Sequence, residues 1–125
     1  GDELDTPSLA LVQTVAADYS SSQVAYLDYA SQTVEDGFYA KTQSDYSISI
    51  YQNDVYHIGR YFIDTISKYN TDDASTEVWS YSTQDDLDST TRNPYTLVSL
   101  SAEKAYLLRY GSDKIWRIGL SQLCA

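Results

Sequence analysis

The chain has 125 residues, no methionine, one cysteine and a formal net charge of −10, with 18 acidic side chains against 8 basic ones. A chain this negative, with no run of Lys or Arg, is repelled by phosphate backbones and anionic lipid, so no nucleic-acid or membrane-surface partner is expected. No stretch reaches the roughly 18 apolar residues of a membrane span. Tyr occurs 13 times and, with Val, Ile, Thr and Trp, suits half-buried pleated surfaces, so the composition is that of an all-β protein.

In chain order, residues 1–8 (Gly1-Asp2-Glu3-Leu4-Asp5-Thr6-Pro7-Ser8) read as a flexible polar leader, of the kind left where a targeting segment has been removed. Ser8 to Ala17 is apolar enough for a strand, although its periodicity also fits a short helix. Gln23 to Asp28 and Gln32 to Lys41 are predicted strands, the second with Gly37 at a bulge. Tyr46 to Tyr51 alternates cleanly, Gln52-Asn53-Asp54 signals a turn, and Val55 to Ile58, Thr65 to Tyr69 and Glu77 to Tyr81 complete a four-strand set. The segment from Gln84 to Asn93 is the longest polar loop, and Pro94 ends it. The cycle then restarts with Tyr95 to Leu100, Ala105 to Leu108 and Ile115 to Ile118, and Leu120 to Ala125 runs out where a fourth strand belongs.

One short unit occurs three times: Ser22-Gln23-Val24-Ala25-Tyr26-Leu27-Asp28, Asp64-Thr65-Ile66-Ser67-Lys68-Tyr69-Asn70 and Asp113-Lys114-Ile115-Trp116-Arg117-Ile118-Gly119. Val24, Ile66 and Ile115 hold the same place in each, at intervals of roughly 40–50 residues, the period of a β-propeller blade. The expected fold is therefore all-β, with blades of four antiparallel strands. About 2.5 blades are present: residues 9–41 a partial blade, 45–83 a full one and 94–125 an incomplete one, together a partial propeller over 9–125. Closed propellers have typically 4–8 blades, so the chain is expected to be a fragment of a longer propeller or to associate with copies of itself to cover its edges. Trp116, on a third strand, is expected to lie deeper than Trp79 on a fourth, outermost strand.

The segment Ala105-Tyr106-Leu107-Leu108-Arg109-Tyr110-Gly111-Ser112-Asp113-Lys114-Ile115-Trp116-Arg117-Ile118 resembles the YVTN repeat, a Tyr-Val-Thr-Asn strand, a Gly-Ser-Asn turn and a Val-x-Val-Ile-Asp strand. Ser22 to Asp28 with Ala30 to Val34 resembles its second half, and the middle copy departs from it with Gly59-Arg60-Tyr61-Phe62-Ile63 in place of the Gly-Ser turn. The Gly-His and Trp-Asp signatures of tryptophan–aspartate repeat blades are missing. The resemblance implies the N-terminal part of a bacterial extracytoplasmic propeller, in the periplasm, on the cell surface or as an outer-membrane lipoprotein anchored by an acylated Cys upstream of residue 1.

The candidate chemistry is sparse. His57 is the only histidine, and without a second His or a Cys nearby it makes a poor zinc ligand. No nucleophile-elbow sequence accompanies it, so a structural role is expected. Asp85, Asp86 and Asp88 offer oxygen ligands without the spacing, Gly or distal Glu of a calcium loop, and read as a solvated acidic turn, as does Asp72-Asp73. Cys124 reads either as a small buried hydrophobe or as a thiol whose partner lies beyond the chain. No metal or cofactor is expected.

Arg60 and Arg109 stand out among few cations. In a propeller the turn between the second and third strands shares a face with the segment linking blades. Arg60, Tyr61, Phe62, Arg109 and Tyr110 should therefore join Asp85, Asp86, Asp88 and Arg92 on one binding rim, since Arg and Tyr are favoured at hot spots. The competing reading pairs Arg60 with Asp64 and Arg109 with Asp113 to pin each blade. The function expected is a non-enzymatic module that binds a protein or glycan or serves as a surface scaffold. The alternative is an enzyme or cofactor-binding propeller whose central-channel site is completed by further blades. The inner strands Tyr46 to Tyr51 and Tyr95 to Leu100 offer only Ser, Thr and Tyr as polar groups, which favours binding.

Overall fold

Period-two alternation over short Tyr-, Val- and Ile-rich runs, cut by polar turns, gives strands throughout. The computed structural model describes residues 9–85, 89–101 and 103–119 and is all-β, with no helix among them, and so none long and apolar enough to cross a membrane. Ten strands form three antiparallel sheets: β1 (Leu9–Val15), β2 (Ser22–Asp28) and β3 (Thr33–Lys41); β4 (Tyr46–Tyr51), β5 (Asp54–Gly59), β6 (Thr65–Asn70) and β7 (Asp73–Ser82); and β8 (Pro94–Ser101), β9 (Lys104–Arg109) and β10 (Trp116–Ile118). The segment that also fitted a short helix is strand β1. The leader, Leu120 to Ala125 and Cys124 lie outside the described residues. The chain divides into two units, residues 1–44 and 45–125.

In the first unit the strands pair in chain order, with β2 in the middle. Ser22, Val24 and Tyr26 alternate as its buried face. The register of β3 on β2 slips twice, between Ser22 and Val24 and again between Val24 and Tyr26. Gly37, with φ of +83°, sits at one slip and Tyr39, with φ of +52°, at the other. The two bulges twist β3 so that Phe38 and Tyr39 both meet Tyr26. The Phe38 ring lies 4.7 Å from that of Tyr26, and the Tyr26 and Tyr39 hydroxyls hydrogen-bond in a buried position.

In the second unit β4 to β7 form a four-strand meander in chain order, and β8 to β10 a second meander with β9 in the middle. Tight two-residue turns close β4–β5 and β6–β7, where Tyr51 faces Asp54 and Asn70 faces Asp73. Gln52 takes the left-handed φ of +56° that such hairpins demand. The two sheets pack face to face on one core: Tyr56, Ile58 and Ile66 from the first, Leu97, Ala105, Leu107 and Ile118 from the second. The small residues of β4 let β8 approach. Ser47 Oγ donates to the Tyr95 carbonyl at 3.2 Å and Ser49 Oγ to the Leu97 carbonyl at 3.4 Å.

The expected contrast in tryptophan depth is not seen. Both Trp79 and Trp116 are half-buried and pack against the same core. Trp79 turns inward over Tyr56, at 6.0 Å between rings. Trp116 stands on β10, which among the described residues pairs only with β9, so the third strand is here an edge and its indole is less covered than an interior strand would make it.

Leu107 is fully buried, whereas Val78 is 51% exposed on the outermost strand. Leu107→Ala should cost about 2–5 kcal/mol in denaturant unfolding, and Val78→Ala should stay within about 0.5 kcal/mol. Trp79→Ala and Trp116→Ala should lose similar amounts. A loss confined to Trp116→Ala would restore the depth contrast.

Candidate functional site

Three segments far apart in sequence meet at one edge of the second unit: the β5–β6 turn (residues 60–64), the segment between β7 and β8 (residues 83–93) and the β9–β10 turn. Asp64 holds the first two together. It is 2% exposed with φ of +52°, a left-handed conformation that Asp tolerates better than most residues. One carboxylate oxygen accepts from the backbone N–H groups of Arg92 at 2.7 Å and Asn93 at 3.1 Å, and the other from Thr91 Oγ at 2.7 Å. The Thr91 hydroxyl in turn accepts from the Phe62 N–H at 2.9 Å. The main chain of Asp64 is used as well: its N–H donates to the Arg60 carbonyl and its carbonyl accepts from Thr83 N–H, both at 2.9 Å.

The third segment joins through backbone pairs. Tyr110 N–H donates to the Asn93 carbonyl at 3.0 Å and Gly111 N–H to the Arg92 carbonyl at 2.8 Å. Gly111 has no freedom to be larger, because a Cβ there would stand 2.7 Å from the Thr91 carbonyl oxygen. Beneath this joint lies Arg109, 4% exposed. Its guanidinium donates to the Thr83 carbonyl and to Asp85, each at 2.9 Å, and to Ser112 Oγ at 3.2 Å. Its carbon lies 4.0 Å from the centre of the Trp116 ring, so the cation is capped by an indole face as well as hydrogen-bonded. Asp85 bridges a second cation, with Arg92 at 3.1 Å, and Arg92 also donates to the Gly111 carbonyl at 3.1 Å. The hydrogen bond from Arg109 is the main reason that the Asp85 carboxyl is held below its ordinary range.

The structure thus brings Arg60, Tyr61, Phe62, Asp85, Arg92, Arg109 and Tyr110 to one edge, while Asp86 and Asp88 lie outside the described residues. Their roles divide sharply. Arg109 and Arg92 lie within the joint, with the half-exposed Asp85 bridging them. Tyr61, Phe62 and Tyr110 stand out from it, 54%, 66% and 66% exposed. The Tyr61 and Phe62 rings meet edge-on at 4.3 Å, and Tyr110 stacks on Tyr95 at 4.0 Å.

Both expected blade-pinning pairs are replaced. Arg60 sits 3.4 Å from Asp45 and not on Asp64, whose oxygens are already taken by two backbone N–H groups and the Thr91 hydroxyl. Arg109 pairs with Asp85 and not with Asp113. Thr91 and Tyr95 were not singled out from sequence. The available signal was the Thr-Arg-Asn run before Pro94, which supplies a hydroxyl and two free N–H donors at a point where the chain must turn.

Elsewhere, His57 is 2% exposed and stacks face to face on Tyr46, 4.3 Å apart and 8° from parallel, a structural placement. Among the described residues no three His, Cys, Asp or Glu side chains gather as a metal site. The first unit has a separate open cleft of about 400 Å³ lined by Thr14, Val15, Ser21, Gln23 and Lys41 among others, none of them singled out from sequence. No protein-family model and no curated protein sequence matches the chain.

Asp64→Ala strands three donors and places Ala at a positive φ, so it should cost about 3–5 kcal/mol. Asp64→Asn, which keeps an acceptor and tolerates the backbone, should cost clearly less. Equal losses would remove the carboxylate from its central place. Asp85 has a depressed folded pKa, so its contribution is present above the ordinary carboxylate range and is lost as pH falls through the depressed value. Asp85→Asn should therefore flatten the decline of Tm below about pH 4. Parallel Tm–pH curves for the two proteins would count against this.

Proposed function

We propose that the chain is a non-enzymatic binding module built on β-propeller blades of the YVTN type, acting outside the bacterial cytoplasm on a protein or glycan partner. The supporting pattern for the fold is a four-strand antiparallel meander stacked on a second meander of the same strand order, together with the threefold sequence repeat. The observation that carries the function is the Asp64 joint. It holds three turns rigidly and leaves Tyr61, Phe62 and Tyr110 exposed on them.

Aromatic side chains fixed on a rigid frame present large contact area with little conformational entropy to lose. Their faces suit the apolar side of a sugar ring or the apolar and cationic side chains of a protein. Arg92 and Arg109 are held within the joint, so recognition rests on the rings and not on a guanidinium, unlike the arginine-led rim that the sequence suggests. Half-exposed Arg60 stands at the margin of the rim, 3.4 Å from Asp45, where a ligand carboxylate or sulfate can reach its guanidinium.

The test is binding to glycan arrays and to immobilised extracellular proteins by wild type, Phe62→Ala and Tyr110→Ala. Each variant should bind at least tenfold more weakly at unchanged Tm, as expected when a hot-spot aromatic is truncated. Full binding by both variants would place the site elsewhere.

A further inference from the structure

Asp36-Gly37 is the chain's only Asp-Gly pair, and it falls at an irregular place in β3. Val24 faces Phe38 and Tyr26 faces Glu35, so Asp36 and Gly37 together oppose Ala25 and neither has a Cα partner in the ladder. Such a bulge takes its extra residue out of the regular pairing. Both residues are exposed. Gly37 holds φ of +83°, and a Cβ built on it would meet nothing within 4 Å, so its surroundings are open.

The Asp36 carboxylate makes no hydrogen bond or ion pair among the described residues. Other aspartates in the same unit are engaged. Asp18 Oδ1 accepts from the Ser20 N–H at 3.1 Å and from Ser20 Oγ at 2.6 Å. Asp28 Oδ1 accepts from the N–H groups of Ala30 at 2.9 Å and Ser31 at 3.2 Å. Each of those two is also followed by a tyrosine, whose side chain crowds the backbone nitrogen that follows the carboxyl. Glycine leaves that nitrogen bare. Asp36 therefore combines a free carboxyl, an unshielded neighbouring amide and a backbone that the ladder does not hold.

We infer that Asp36-Gly37 is a site of spontaneous succinimide formation and isomerisation to isoaspartate. A bond forms between the Gly37 backbone nitrogen and Asp36 Cγ. The C–O bond to the carboxyl hydroxyl breaks, and the amide proton leaves with that oxygen as water. Water then opens the five-membered ring at either carbonyl. Opening at the original backbone carbonyl leaves the chain running through Cγ, longer by one methylene, with the α-carboxylate pendant. Net mass and charge are unchanged, and no reactant beyond water is used. The added methylene lies between Glu35 and Phe38, both of which pair in register with β2. A change of register there displaces the side chains that follow. Phe38 and Tyr39 are the residues that close on Tyr26, so isomerisation loosens the buried aromatic cluster of the first unit. The inference stands without the binding function proposed above.

Incubation of the folded chain at neutral pH and body temperature tests it, with peptide mapping by mass spectrometry. Isoaspartate is read as a mass-neutral shift in retention and as resistance to an endoprotease that cuts before Asp. It should accumulate at residue 36 about tenfold or more faster than at Asp18 or Asp28, because only Asp36 precedes a glycine. Its rate should lie within about tenfold of that in a free peptide spanning Thr33 to Lys41, because the bulge leaves the pair unheld. Asp36→Glu, which would have to close a six-membered ring, should fold as wild type does and lose the product. The isomerised chain, separated from the parent by chromatography, should melt at a lower temperature. Equal rates at Asp18, Asp28 and Asp36 overturn the inference. So does a folded rate about a hundredfold below that of the peptide, which would show that the ladder protects the pair. An unchanged Tm in the isomerised chain would overturn the link to the Tyr26 cluster.

Discussion

Asp64 is a buried carboxylate satisfied by two backbone N–H groups and a hydroxyl, with no cation paired to it among the described residues. A buried charge in that state is stable only while every donor stays in place, because desolvation has already been incurred and the hydrogen bonds alone offset it. The carboxylate therefore locks the geometry of Thr91, Arg92 and Asn93, and through them the start of β8. Gly111 and Tyr110 dock on the same three residues, so the β9–β10 turn inherits the constraint. The second unit's turn edge is thus one polar network with an apolar core directly behind it, and the position of each exposed ring is set by donors and acceptors beneath it.

Arg109 shows how the network holds a buried charge. It is among the most buried charged groups described, and its compensation comes from four directions: a carbonyl, a carboxylate, a hydroxyl and an indole face. Removing one partner from such a set leaves part of a buried charge uncovered, which costs more than the pair gains over water. This is also why Arg109 is a poor candidate for ligand contact. A guanidinium whose Nη1 and Nη2 already donate inside the joint cannot turn to the surface without dismantling it.

The strands were legible in the sequence and the joint was not, for a physical reason. Strand formation leaves a local mark. Tyr46 to Tyr51 alternates with period two, and Pro94 and the Gln52-Asn53 pair punctuate the pattern, so β4 and its neighbours follow from short windows. The convergence of residues 60–64 with 83–93 also followed, because an antiparallel meander puts alternate turns at the same edge. The partners of each charge did not follow. The recurrence of Arg with Asp four residues on suggests a local pair, yet the oxygens of Asp64 go to a hydroxyl and two backbone donors some thirty residues away. Those N–H groups carry no sequence signature, since every residue but proline has one. Trp116 was misjudged for a related reason: its depth depends on which strand covers β10, a tertiary fact that no window contains.

The same distinction explains how acidic and basic residues are distributed. Within a sheet of this kind, inward positions are chosen by volume and must be apolar or fully paired, so repeats resemble one another there. Outward positions are free to differ until something covers them. Lys68 and Arg117 occupy related strands, yet Lys68 is 9% exposed and lies near Asp54 and Tyr56, while Arg117 is open to solvent. A cation at that position is tolerated in both states because its stem covers apolar surface and its head reaches a carboxylate or water. The repeat thus carries a side chain able to serve in either the sealed or the open version of one sheet face.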